Sequence, residues 1–241
     1  MYNEMKKTGL TVHDLLRAVL KTDIGKEKAE HSFPYTEEIC RCCYCNFCRQ
    51  GKCALKKCCC MEERIKAHSC TFAEILHHCF SNINDNIFLY RLRIAIGRAN
   101  ETKSIFITRE HKQRFRAACA WTRRRDNSFA AQLYLLTMSE TLWKRISRHI
   151  YYDHVEYASV WLDELPVNDY TLFSIASDLE SGTDHTDIED LSNDEVVDFD
   201  IFRAVCNAIT ICAFGVDVIR IAEKRKHKKK NRYRHEVMQS E

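Results

Sequence analysis

Apolar residues recur at spacings of three and four along much of the chain, the pattern of helices that bury one face. After Thr11 the positions Val12, Leu15, Leu16, Val19 and Leu20 share a face. Thr11 is placed to cap that helix, Asp14 answers three residues later, and Leu10 and Leu15 are spaced as a hydrophobic staple. The same grammar returns at Thr71 and Glu74, with Phe72, Ile75, Leu76, Cys79 and Phe80 as the apolar face. Helical periods also cover 109–121, 127–136, 140–150, 170–179 and 199–214, with Ser139 and Asn168 as caps and Gly215 closing the last. The run IFLYRLRIAI (87–96) reads as strand or helix, and SIFIT (104–108) is β-prone.

This pattern predicts a mainly α fold. A compact helical C-terminal domain follows a small Cys-rich module, with at most a short strand or hairpin near 87–108. Only six glycines and two prolines occur in 241 residues, which favours helix over a turn-rich sheet sandwich. Four parts are expected: an N-terminal amphipathic helix (1–30), a metal-binding module with its following helix (31–100), a helical domain (101–220) and a basic tail (221–241).

Charge changes the picture more than composition does. The net value is only +3, yet 151–202 holds fifteen Asp or Glu and no Lys or Arg. Basic residues dominate 102–149, and the segment 224–234 carries eight Lys or Arg. Such asymmetry steers charged partners or is settled within the molecule. No signal peptide is evident at the start, and the longest strongly apolar run, 204–216, is too short to span a bilayer. A soluble, cytoplasmic protein with no membrane contact is expected.

The candidate chemistry centres on CRCCYCNFCRQGKCALKKCCC (40–60), with nine cysteines, five Arg or Lys and no acid. In a reducing compartment this density means metal or thiol chemistry more often than disulfides, the alternative being a secreted disulfide knot. Cys45, Cys48, Cys53 and Cys58 have the spacing of a zinc knuckle with Cys in place of His, although Phe47 and Gly51 sit one step from the knuckle's aromatic and glycine. Cys40, Cys43, Cys60 and Cys70 form a second possible set, with His68 as a rival ligand and Cys42 and Cys59 to spare. One or two Zn²⁺ ions are expected, and their binding would order a segment poor in large apolar residues. An iron–sulfur cluster on Cys42, Cys45 and Cys48 is the alternative, but its fourth ligand position is Lys52. A thiol-redox module is a further one. Cys79, Cys119, Cys206 and Cys212 lie on apolar helical faces and read as small buried hydrophobes.

Two functional classes compete. Arg41, Arg49, Lys52, Lys56 and Lys57, with Tyr44 and Phe47 for stacking, would hold a nucleic-acid strand beside the metal, and Arg123, Arg124 and Arg125 would add phosphate contacts. Solvated lysines between zinc ligands explain the same residues without a strand. On this reading the chain is a non-catalytic zinc-stapled accessory or regulatory protein. Alternatively, a protein-interaction or inhibitor function would use the acidic and aromatic stretch 151–200, with Tyr151, Tyr152, Tyr157, Trp161 and Tyr170 as anchors.

An enzyme is the third reading, and the sequence leans against it. Glu110, His111 and a phosphate-binding Arg114 are the candidate group, and His77 and His78 point in different directions on a helix. HExxH and GxxxxGK[ST] are absent. Asp184, Asp187, Asp190 and Asp194 lack the glycine and terminal Glu of a calcium loop; Asp184 capping a turn and Asp187 a helix is the cheaper account.

The blocks IFITREHKQRF, AAQLYLLTMSETLW, YTLFSIASDLESGTDHTDIEDLSND and FRAVCNAITICAFG span 105–215. In that order they resemble an uncharacterised domain family of Firmicutes bacteria, their prophages and conjugative elements. The resemblance covers about half of the chain and implies a compact unit on a mobile element, with a host or element-encoded protein as a possible partner; it carries over no catalytic residue. Leu191, Ser192 and Asn193 stand where that family has Leu-Ala-Asp.

Overall fold

The computed structural model describes residues 11, 14, 61–66, 68, 70–81, 83–122, 126–183 and 186–223. In chain order its helices are α1 (Met61–Lys66), α2 (Phe72–Cys79), α3 (Asn86–Thr102), α4 (Arg109–Trp121) and α5 (Asn127–Leu136). They continue as α6 (Glu140–Ile146), α7 (Val167–Ser181), α8 (Ile188–Ser192), α9 (Phe199–Phe214) and α10 (Asp217–Glu223).

The architecture is built around α9. Its residues from 201 to 212 are all buried, and a helix that is apolar on every side belongs at the centre. α5 packs along it, α7 covers α5, and α2, α3 and α10 close the remaining sides of α9. α1 rests on α10, α4 and α6 lie against α5, and α8 rests on α3. One continuous hydrophobic core runs from Met61 in α1 to Ile221 in α10, through Phe88, Phe129, Tyr134 and Phe202.

Side-chain caps start most of these helices. Asp85 accepts from Phe88 N at 2.6 Å, Thr108 from His111 N at 3.0 Å, and Asp126 from Phe129 N at 2.9 Å. Asp187 and Asp198 do the same for α8 and α9, both at 2.8 Å. Thr71 and Glu74 form the expected reciprocal capping box on α2. Thr11 and Asp14 form the same pair of bonds, Asp14 N to Thr11 Oγ1 at 3.0 Å and Thr11 N to Asp14 Oδ2 at 3.3 Å. Each such cap is worth about 1 kcal/mol.

Several expectations are corrected. The ambiguous run 87–96 is wholly helical within α3, and 104–108 forms bends instead of a strand. Among the described residues the extended pairing consists of two isolated bridges, Thr11–Asp187 and Ile150–Val155. The helix expected over 140–150 ends at Ile146 and continues as a single tight turn, Ser147–His149. Ser139 caps α6 through Leu142 N at 3.3 Å, as expected. Asn168 does not cap α7: Pro166 holds that position with no side-chain bond, and the Asn168 amide donates instead to Asp198. Gly215 closes α9, donating to the Ile211 carbonyl at 2.7 Å. The Leu10–Leu15 staple and the tail at 224–241 lie outside the described residues.

Candidate interaction surface

The polar groups nearest the core serve the fold. Ile105 and Phe106 are buried although they lie between helices, so their backbone groups need partners away from water. Asn207 of α9 donates to the Ile105 carbonyl at 2.9 Å, and the Tyr134 hydroxyl donates to the same oxygen. Arg203 reaches the Phe106 carbonyl at 3.4 Å. His111 Nε2 donates to the Tyr134 carbonyl at 2.8 Å, while its Nδ1 accepts from Ile107 N at 3.4 Å. Burial holds His111 neutral by lowering its pKa to about 3, the Tyr134 bond opposing this and the charges of Arg114 and Arg203 adding to it.

This geometry removes the candidate enzymatic group. His111 has both ring nitrogens committed to backbone. Arg114 donates to the carbonyls of Thr137 and Met138 at 2.8 and 2.7 Å, which closes the C-terminal end of α5. His78 is also buried, its pKa lowered to about 4 by desolvation and then by the Arg64 charge. Its neighbour His77 is exposed. Burial pushes the thiols of Cys79 and Cys206 well up, and that of Cys212 to about 11, so these cysteines act as small hydrophobes.

The zinc-stapled reading, with its iron–sulfur alternative, is corrected as well. Among the described residues no group of three or more His, Cys, Asp or Glu is placed to hold a metal ion. Cys70, the one expected ligand in the described part, is buried in the apolar core that also takes up Met61, Phe72 and Ile75. Its rival His68 is exposed at a left-handed turn. Among the described residues no set of ligating side chains gathers at Cys70 to hold an ion. The other expected ligands, Cys40, Cys43, Cys45, Cys48, Cys53, Cys58 and Cys60, lie outside the described residues. So do the nucleic-acid candidates Arg41, Tyr44, Phe47, Arg49, Lys52, Lys56, Lys57, Arg123, Arg124 and Arg125, and Asp184 of the acidic block.

The acidic stretch divides sharply. Many of its acids are used up inside the fold. Asp169 accepts from Ser139 at 2.9 Å, Glu180 from Gln132 at 2.6 Å, and buried Asp178 from Thr183 at 2.7 Å. Asp187, Asp190 and Asp198 serve helix starts. Tyr157, expected as an anchor, is half-buried: its hydroxyl donates to Gln132 at 3.0 Å and its ring meets Phe173 edge-on at 5.3 Å.

What stays outside is a shaped loop between α6 and α7. Trp161 is 73% exposed, with Asp163 and Glu164 close behind it. The loop is held from below: Arg145 donates to the carbonyls of Trp161 and Asp163 at 3.1 and 2.7 Å, and Val155 and Val160 are buried. Glu164 bends the chain with a φ of 62°, a costly region for a residue with a Cβ. Val167 and Tyr170 are exposed at the start of α7. At the other end of the loop Tyr151 stacks on His154 at 4.9 Å, and Tyr152 meets Trp121 of α4 edge-on at 5.8 Å. The pairing of Trp121 with Tyr152 was not legible in sequence, because it joins positions 31 apart with no shared period.

These features define a mainly α domain, among the described residues, that carries an aromatic loop on its surface. No family model, curated protein or solved structure matches the chain. No helix among the described residues is long and apolar enough to cross a membrane.

Proposed function

We propose that the helical domain is a protein-docking module whose loop between Ile150 and Val167 recognises a basic partner. The observation that carries this reading is Trp161, 73% exposed on a backbone that Arg145 holds in place. Trp and Tyr dominate binding energy where they anchor an interface, and a loop already held in one shape loses little freedom on binding. Exposed Asp163 and Glu164 follow Trp161 closely and Asp153 stands at the other end of the loop, so its acids outnumber the one arginine, Arg145, that bonds to its backbone. Acids around aromatic anchors speed encounter with a cationic surface and reject acidic ones. The resemblance of 105–215 to domains on bacterial mobile elements supports a host or element-encoded protein as that partner, met in the cytoplasm.

The test uses the full chain and a panel of fluorescein-labelled Lys/Arg-rich 15-residue peptides, each with one aromatic or leucine anchor, read by anisotropy. Saturable binding is expected for a subset. It should weaken at least tenfold in Trp161→Ala and as salt is raised. Absence of binding across the panel, or binding indifferent to Trp161→Ala, would overturn the proposal. A labelled single strand run in parallel decides between partner classes: strand binding lost in Trp121→Ala, with no peptide bound, replaces a protein partner by a nucleic acid.

A further inference from the structure

The outer face of α3 departs from the pattern of a surface helix. Its inner face buries Phe88, Leu92, Ala95 and Ile96. The opposite face of a helix so placed is ordinarily polar. Here it presents Ile87, Tyr90 and Ile94, which are 60%, 61% and 39% exposed. Their spacing of three and then four makes a single row. Gly97 continues the row by one turn, and a Cβ built on it would meet nothing within 4 Å, so the row ends in an open notch. The exposed charges on its two flanks, from Ile87 to Arg98, are basic. Arg93 and Arg98 are both exposed and lie on opposite flanks of the row, Arg98 also reaching over the Phe199 ring at 5.6 Å. The helix contains one acid, Glu101, in its last turn.

We propose that this face of α3 binds an acidic amphipathic helix of a partner protein. An apolar row at three-four spacing is what a second helix packs against, and the Gly97 notch allows its backbone to come close. Arginines on both flanks select the sign of the incoming helix, since each finds a carboxylate opposite it. The same charges argue against a second copy of this chain, because self-pairing sets the arginines against one another. This interface is independent of the Trp161 loop and carries the opposite preference, so the domain would join a basic partner to an acidic one.

The experiment uses the full chain and a panel of labelled 18-residue helical peptides with leucine at heptad a and d positions. One set carries Glu at the flanking positions and a matched set carries Lys. The Glu set is expected to bind saturably and the Lys set not. The double variant Ile87→Ser/Tyr90→Ser and the variant Arg93→Glu should each weaken binding at least tenfold. These positions are exposed, and unchanged circular dichroism would establish that folding is intact. Trp161→Ala should leave this binding unchanged, which separates it from the loop interface. Equal binding of both peptide sets, no binding of the Glu set, or no effect of the Ile87/Tyr90 variant would overturn the proposal. Sedimentation would also overturn it if the chain is a dimer that the Ile87/Tyr90 variant dissolves, for then the occupant is a second copy.

Discussion

Asn207 Nδ2 donates to the Ile105 carbonyl at 2.9 Å, joining the central helix to the α3–α4 connection across 102 residues of chain. The same amide donates to the Tyr134 hydroxyl at 3.1 Å, and that hydroxyl donates to Ile105 as well. All three groups are buried. Replacing Asn207 by Leu takes one donor from the Ile105 carbonyl and leaves the Tyr134 oxygen without its own donor. A buried polar group deprived of its partner costs about 1–3 kcal/mol. Urea unfolding should show a loss of that size for Asn207→Leu, and the double variant with Tyr134→Phe should be non-additive, because both residues serve one oxygen.

Acid should destabilise the domain earlier than its carboxylates alone would require. Burial lowers the pKa of His111 to about 3 and that of His78 to about 4, from an ordinary value of 6.5. Both are therefore neutral in the folded chain and take up protons on unfolding once the pH falls below 6.5. Their contribution is complete above that value and is lost as pH falls toward 4 and then 3. Each histidine gives a slope of about 1.4 kcal/mol per pH unit in that window. Unfolding free energies at pH 7, 6 and 5 measure it. His111→Gln retains a donor and an acceptor without a titrating ring, so it should reduce the slope by about half of the combined value.

The sequence was most readable where the determinants are local. Thr71 with Glu74, and Ser139 with the amide of Leu142, are bonds between residues three apart, so the pattern and the structure coincide. The run 87–96 was ambiguous for a physical reason. α3 has apolar side chains on both faces, Leu92 and Ile96 inward and Tyr90 and Ile94 outward, and apolar residues on both sides of a helix imitate the alternation of a strand. The segment 104–108 looked β-prone because Ile105, Ile107 and Thr108 are β-branched. The carbonyls of Ile105 and Phe106 are instead satisfied by Tyr134, Arg203 and Asn207, partners between 29 and 102 residues away, which no local pattern reveals. The site was legible only in part. Tyr157 and Trp161 are both aromatic in an acidic stretch, and what separates them is Gln132, which draws the Tyr157 hydroxyl inward from another helix.

Gly215 is held to glycine by its backbone conformation more than by its neighbours. Its φ is 77°, and a Cβ there would lie 2.7 Å from Asn127 Oδ1 at the start of α5. Gly215→Ala therefore meets a disfavoured backbone, at an expected cost of about 1–3 kcal/mol in thermal or urea unfolding, while the exposed Asn127 side chain can turn aside. Adding Asn127→Ala should recover little of the loss, because the exposed amide already moves aside. The backbone share should remain.

Lys103 offers the opposite change. It ends α3 in the left-handed region with a φ of 51° and donates to the Ala99 carbonyl at 3.0 Å. Glycine adopts that conformation without the clash that a Cβ brings. Lys103→Gly should stabilise the domain by about 0.5–1 kcal/mol, visible as a higher melting temperature. A loss of stability would show that the Lys103 side chain contributes more than its backbone costs.

Arg145 links the fold to the proposed docking loop. Its guanidinium bonds to the carbonyls of Trp161 and Asp163 sit near solvent, so losing them costs little stability, because water replaces the donor. The consequence should appear in order instead. With fluorinated tryptophan in the full chain, Trp121, Trp143 and Trp161 give three ¹⁹F resonances, and Trp161→Phe assigns the third. Arg145→Met should sharpen the Trp161 resonance and shift it toward the position of a free indole, while the other two hold still. Affinity for the basic peptides should fall in the same variant although no anchor has been removed, because the loop must then be ordered at the moment of binding. A Trp161 resonance unmoved by Arg145→Met would show that Val155 and Val160 alone set the shape of the loop, and peptide affinity should then stay at the wild-type value.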